Sequence, residues 1–494
     1  MMTPRARPHA PTPTSATPRS KAARPRRRRC PRARGTVIVV VIWALAIAAV
    51  TVAAVQVASY RHAVVSRDVL GRIQARWAAR AGIEETIAVM ESHTDDPDVR
   101  DAFAMVRDLE ADGVALGWLE TGSWDIRHSL DGVEWAGPMD EHAKLNINLA
   151  PITALNNLPG MPIDVPASIM DWRDPDDEPS LLGAESAYYR NLRFGYLPRN
   201  GDFRSIAELE LVAGAQPKYV RGEDWNLNGR LDPNEDDGQE TFPPDNADGK
   251  LDAGWSGYLT AYSRTRPLGL RGEPWLELRT AEPTDIQSRL GVDEAQANAL
   301  KTWAAQPTAR LETLLTTELG ALSGTGGAGA AQGGGQQATR GGRSRGGGQQ
   351  QAGGRGAQQV NTVPPLTTQQ LRTIFQEATL EREPATQRPG RMNINTVPAK
   401  LLRDVLELDS RIVDGIVRLR DGRPEGITSV ADLKEIRDIE PGVMTSIASI
   451  FDTSSSVYSI ASRGRSLAGN VEVEVFVVVD RSTSPVRILE YREH

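Results

Sequence analysis

A chain of 494 residues is too long for one compact core and predicts about three domains, while 45 glycines, 32 prolines and few aromatic residues predict several linkers between them. The net charge of −7 conceals a basic head: residues 1–35 hold eleven Arg or Lys and no acid, which leaves −18 on the rest. Such a body disfavours phosphate backbones and suits divalent cations, and the single Cys30 excludes an intramolecular disulfide, so packing, with or without metal, must hold the fold.

After "RRRRCPRARG" comes "TVIVVVIWALAIAAVTVAAV", residues 36–55, free of charge and proline. Twenty helical residues at about 1.5 Å each span the ~30 Å hydrocarbon core, and the arginine-rich flank predicts a cytoplasmic amino terminus with an exported body. The alternative, a cleaved secretory signal, calls for a shorter apolar core. Here helical periodicity continues through Val64, Val65, Val69, Leu70, Ile73, Trp77, Ala81, Ile83 and Ile87, which predicts one helix running on into a stem.

Three later segments repeat one pattern: "LNINLAPITALNNLPGMPIDVPASIMDW" (145–172), "LELRTAEPTDIQSRLGVDEAQANALKTW" (276–303) and "MNINTVPAKLLRDVLELDSRIVDGIVRL" (392–419). Each reads as a short extended start, a proline (Pro151, Pro283, Pro398) in a first helical turn, a turn and a second helix. Ser-capped amphipathic helices are expected downstream of the first and third, at 203–214 and 427–436. The unit reads as helix-hairpin-helix, either a packing module or a DNA-backbone binder. Absent hairpin glycines in the third copy and the acidic body favour packing.

Between the first two repeats, "DWNLNGRLDPNE" carries the EF-hand ligand pattern. Asp224, Asn226 and Asn228 offer side-chain oxygens, Gly229 the sharp turn, Arg230 its carbonyl, Asp232 a direct or water-mediated ligand and Glu235 a bidentate closure. The other reading is an Asx-rich surface turn. The following "DDGQETFPPDN" cannot form an exiting helix, so calcium would staple the insertion and not switch it, and an affinity of about 10⁻⁴ to 10⁻³ M would suffice. Asn246, Asp248 and Asp252 form a second, degenerate loop with Trp255 where the closing acid belongs. In "DWRDPDDEP", Asp171, Asp174 and Asp176 form either a third cation site or a solvated acidic loop.

Residues 323–359 are Gly/Gln/Arg-rich and predict a flexible linker; RNA binding through their Arg-Gly pairs fits poorly with export. "SVYSIASRG" (456–464), "NVEVEVFVVVDRS" (470–482) and "VRILEYRE" (486–493) alternate like three antiparallel strands. The sequence carries no HExxH, Gly-x-Ser-x-Gly or phosphate-loop motif, so no enzymatic activity is expected.

Two sets of residues resemble a known family. Gly35 followed at once by the apolar helix resembles the amino terminus of type IV pilins and pseudopilins, which implies prepilin peptidase cleavage between Gly35 and Thr36. Most pilins carry a glutamate five residues into the mature chain, where Val40 stands here; its absence resembles the minor pseudopilin called general secretion pathway protein K. The stretches "DEHAKLNINLAP", "IMDWRDPDDEP", "GAESAYYRNL" and "LPRNGDFRSIAELELVAG" follow that family's pattern in order.

This resemblance implies an α+β fold, with a pilin-like helix and antiparallel sheet interrupted by helical SAM-like domains. It also implies a minor pseudopilin in the inner membrane, with its body in the periplasm, at the tip of the type II secretion pseudopilus; partners of the I and J type; and Ca2+. The expected order is leader 1–35, transmembrane and stem helix 36–95, pilin-like part 96–144, helical domain 145–220, calcium-loop insertion 221–255, second repeat region 256–322, linker 323–362, third repeat 363–453 and strands 454–494. The alternative function is a membrane-anchored, calcium-stabilised helix-hairpin-helix protein that binds DNA outside the cytoplasm.

Overall fold

The computed structural model describes residues 36–111, 113–324, 363–381, 388–437, 439–468 and 471–493. The leader, with Gly35 and Cys30, and most of the expected linker lie outside them. The chain divides into two units, residues 1–66 and 67–494. In the first, every described residue belongs to helix α1 (Thr36–Asp95), with all side chains exposed. Among the described residues, α1 is the one helix long and apolar enough to cross a membrane.

In the second unit, the remainder of α1 buries Gly71, Ala75, Ala78, Ala79, Gly82, Ile83, Thr86 and Met90. These recur at three- and four-residue steps, so they form one stripe, and its small residues let a sheet approach closely. Trp77, expected on the apolar face, is 58 % exposed, so the docked face is the small one. Helix α2 (Ala104–Glu110) and strands β1 (Leu116–Leu119), β2 (Gly122–Leu130), β3 (Val133–Ala136) and β4 (Met139–Asp140) follow.

The chain then leaves the sheet for three helical units built alike. The first comprises β5 (Leu145–Asn146), α3 (Ile152–Asn156), α4 (Val165–Arg173), α5 (Ser186–Arg190), a 3-10 turn Ile206–Leu211, α6 (Pro217–Arg221) and β6 (Leu259–Thr260). The second comprises β7 (Leu276–Glu277), α7 (Pro283–Leu290), α8 (Glu294–Ala304), a 3-10 turn Leu311–Leu315, α9 (Leu319–Leu322), α10 (Thr368–Glu377) and β8 (Ala378–Thr379). The third comprises β9 (Met392–Asn393), a π turn Leu401–Val405, α11 (Ser410–Asp421), a 3-10 turn Val430–Glu435, α12 (Pro441–Ile450) and β10 (Phe451–Asp452).

Opening and closing strands pair in parallel within each unit. Residues 368–379 therefore complete the second unit, although the sequence reading grouped them with the third. The amphipathic helices expected at 203–214 and 427–436 are only 3-10 turns, but Ser205 and Ser429 do cap them, each accepting from the second amide beyond it. These turns are short because the next unit helix begins within a few residues.

The repeated Asn-Ile-Asn now has a reason. Asn148 accepts from the Phe203 amide (2.8 Å) and donates to the Phe203 carbonyl (3.1 Å). Asn395 accepts from the Ile427 amide (2.8 Å) and donates to the Ile427 carbonyl (2.9 Å). Each side-chain amide thus satisfies both backbone groups of the residue leading into the capped turn. The second repeat has Arg279 there, reaching the carbonyls of Gln306 and Leu380, which explains why it matches the others least.

Returning, the chain adds β11 (Val457–Ser466), β12 (Glu472–Asp480) and β13 (Arg487–Glu493), giving an antiparallel sheet of order β1-β2-β11-β12-β13, with β3 on β2 and β4 on β11. Val475, Val477 and Val479 pack with Ile83 and Met90 of α1, whereas Phe476 and Val478 join Val457 and Ala461 on the other face. Alternation places neighbours on opposite faces, and β12 is buried on both. The expected α+β architecture, a long amino-terminal helix with an antiparallel sheet and helical insertion, is the one observed.

Candidate functional site

Helix α6 ends at Gly222 (φ 59°), where a Cβ would overlap the Asp252 carbonyl, and the chain enters the loop 224–235. Asp224 is buried and accepts from the amides of Asn228 (3.0 Å) and Gly229 (3.0 Å). Asn226 Oδ1 accepts from the Asn228 amide (3.0 Å), and Asn228 Oδ1 from the Arg230 amide (2.7 Å). Gly229 takes the left-handed turn (φ 69°). Glu235, buried at the end of the 3-10 turn Pro233–Glu235, accepts from the amides of Trp225 (3.1 Å) and Asp232 (3.1 Å).

The residues that fasten this loop to the sheet were not singled out from the sequence. Arg230 reaches Asp125 of β2 (2.6 Å), Asn228 donates to Glu474 of β12 (2.6 Å), and Arg492 of β13 donates to the carbonyls of Asn226 (2.6 Å) and Leu227 (2.9 Å). Arg463 of β11 pairs with Asp232 and, at 3.1 Å, with Glu474. No local pattern marks these strand residues, since their role arises from a fold-back of 105 residues for Asp125 and of more than two hundred for Arg463, Glu474 and Arg492.

The loop concentrates negative charge where water is scarce. Burial, then Asp224, pushes the Glu235 carboxyl up to about 8; burial pushes that of Asp224 up to about 6. Its oxygen donor set fits a hard divalent cation. Asp232, however, is engaged on both oxygens: Oδ1 by Arg463, and Oδ2 by the side-chain amides of Asn226 (2.8 Å) and Asn228 (3.2 Å).

The degenerate loop is largely self-satisfied. Asn246 accepts from the Asp248 amide (2.9 Å), Asp248 from that of Lys250 (3.0 Å), and Asp252 from that of Gly254 (3.2 Å). Trp255, in the closing position, is core: it stacks on Tyr219 at 5.5 Å and donates to the Pro159 carbonyl (2.9 Å). Glu223 supplies the missing carboxylate from outside the loop, accepting from the amides of Asn246 (3.3 Å) and Asp252 (2.9 Å).

The third acidic group is the most sharply defined. Asp171 near the end of α4, Asp174 just beyond it and Glu185 before α5 bring carboxylate oxygens within 4.8 Å of one another. Asp176 is not of this group; it accepts from the Glu178 amide (3.0 Å), and Glu185, the residue just before α5, replaces it. Both oxygens of Glu185, one of Asp174 and the Asn200 Oδ1 are buried without a hydrogen-bond partner among the described residues. Gly183 allows the closure, since a Cβ there would overlap the Asp171 carboxylate.

Burial, then the neighbouring aspartates, pushes Glu185 up to about 7, and Asp174 is also raised. The carboxyl end of α4 adds negative potential. The converging carboxylates, with the unpaired oxygens of Asp174 and Glu185, form an oxygen donor set that fits a hard divalent cation.

A long helix docked on an antiparallel sheet, with helical units inserted between β4 and β11, defines a pilin-like protein with an enlarged head. Residues 144–222, the first of those units, match the family described as Type II secretion system (T2SS), protein K. Through that stretch the chain carries a domain of the type II secretion protein K family. The crystal structure of the GspK–GspI–GspJ complex from the enterotoxigenic Escherichia coli type 2 secretion system is similar at a TM-score of 0.42 and 10 % identity, over 87 % of this chain and 99 % of that one. No curated protein sequence matches the chain.

Proposed function

We propose that this minor pseudopilin caps the tip of the type II secretion pseudopilus and takes part in protein export across the outer membrane. The observation that carries the reading is the position of the family domain: it interrupts a pilin-like sheet between hydrogen-bonded neighbours, Asp140 and Tyr458, as a bulky head. Such a head leaves little room for a further subunit above it. Val40, where most pilins have glutamate, supports the same reading, because a buried carboxylate in lipid needs a neighbouring subunit to satisfy it. The apolar half of α1 anchors the chain in the inner membrane, with the head periplasmic. No observation favours the DNA-binding alternative.

The partners are minor pseudopilins of the I and J type. Co-expressed with them, the tagged chain should retain both through affinity and size-exclusion steps. A chain that elutes alone under those conditions overturns the tip assignment.

Maturation gives a second test. With a prepilin peptidase present, Edman sequencing of the membrane-extracted chain should begin at Thr36; an intact arginine-rich leader counts against export by this route.

Ca2+ belongs to the same reading, as a staple and not a switch. In the loop 224–235 it would be held by Asp224, Asn226, Asn228, Glu235 and the Arg230 carbonyl, and in the head by Asp171, Asp174 and Glu185. Bound there it neutralises charge that the fold otherwise concentrates, and the first position ties the insertion to the sheet through Asp125, Arg463, Glu474 and Arg492.

A further inference from the structure

Two arginines of the second unit meet at one cavity without a carboxylate to neutralise either. Arg266, on the connector after β6, and Arg481, just after β12, line a space of about 80 Å3 together with Thr396, Ser454 and Tyr458. Arg481 is buried and gives its three nitrogens to neutral oxygens: Thr94 Oγ1 (3.0 Å), the Ser455 carbonyl (3.1 Å) and the His93 carbonyl (2.9 Å). Arg266 has one contact, Ser454 Oγ at 3.4 Å, which leaves most of its donors unused.

Neither guanidinium has a carboxylate within ion-pair distance among the described residues, and the acids nearby are occupied. Asp140 accepts from Thr396 (2.6 Å), Ser455 (2.6 Å) and the His142 amide (2.8 Å). Asp452 accepts from the Thr453 amide (2.7 Å); of the two aspartates that also line the cavity, Asp101 is paired with Arg107 and Asp98 accepts from the Arg100 amide (2.9 Å). Burial and the like charge of Arg481 push Arg266 down to about 10, the direction expected of a cation lacking its counter-ion.

We propose that this cavity binds a small oxyanion, a phosphate or a carboxylate group, between Arg266 and Arg481. The volume exceeds what a single water needs and accommodates one tetrahedral or planar oxyanion. Guanidinium donors from two elements, with hydroxyls beside them, supply charge-assisted hydrogen bonds in a partly enclosed site. Bound there, the anion would join the end of α1, the connector and the third helical unit to the sheet.

The test uses the full chain in detergent, with thermal unfolding followed as chloride is exchanged for phosphate, or for acetate, at constant ionic strength. A saturable rise in Tm, about 2 °C at ten times the half-saturating concentration, is expected with at least one of the two, and which one responds identifies the anion class. Arg266→Gln should abolish the increment measured against its own baseline, Arg266→Lys should keep part of it, and Arg411→Gln, on the exposed face of α11, should keep all of it. Equal melting in all three salts, or an undiminished increment in Arg266→Gln, overturns the proposal.

Discussion

Chelating divalent cations from the full chain at pH 7.5 should lower its Tm by roughly 5–10 °C, and restoring Ca2+ should recover it. A ligand at a hundredfold excess over Kd stabilises by about 2.7 kcal/mol per site, and the proposed sites are two, Asp171–Asp174–Glu185 and 224–235. The pH dependence should be opposite in the two states. Glu185 and Glu235 have folded values near 7 and 8, and Asp224 near 6, all above their ordinary carboxyl values of 4.5 and 3.8. The chelated protein binds more protons folded than unfolded across that window, so its stability falls as pH rises from about 4.5 to 8. Ca2+ competes with those protons, so its increment should be small at pH 5 and largest at pH 7.5 and above.

A charge-neutral pair distinguishes a metal site from a merely strained one. Glu185→Gln with Glu235→Gln should lose most of the Ca2+ increment and yet melt above the wild type in chelator at pH 7.5, because like charges have been removed from a buried place. A wild-type Tm that ignores chelation at pH 7.5 removes the staple.

Gly464→Ala should destabilise the chain by about 3 kcal/mol or more, seen as a lowered urea midpoint and faster proteolysis within 67–95. A Cβ on Gly464 would overlap the Ala75 carbonyl oxygen and stand 2.5 Å from the Ala79 nitrogen. Those are backbone atoms of α1, so no side-chain rotamer relieves the clash and the helix must leave the sheet. Gly442→Ala in α12 meets nothing within 4 Å and should be neutral or stabilising by up to ~1 kcal/mol. Matching midpoints for the two variants would mean that α1 does not dock on β11 through this stripe.

What could be read in advance follows from the range of the interactions. The apolar run 36–55, the alternation at 456–493 and the ligand spacing of 224–235 are local periodicities, and each formed the predicted element or turn. The repeats were visible because Pro151, Pro283 and Pro398 start helices by local backbone preference. The closing strands β6, β8 and β10 were not, since two residues paired across a whole unit carry no periodicity.

The amino-acid order by itself determined the apolar rod, the strand alternation, the helical repeat and the Asx-rich turn at 224–235, because each is a pattern over a few residues whose spacing is set by backbone geometry. Only the tertiary structure decided that Glu185 and not Asp176 completes the acidic group, that Arg463, Glu474 and Arg492 hold the loop, and that Arg266 and Arg481 share a cavity. Those choices depend on which distant segments the buried sheet brings within hydrogen-bond reach, and no spacing along the chain encodes that.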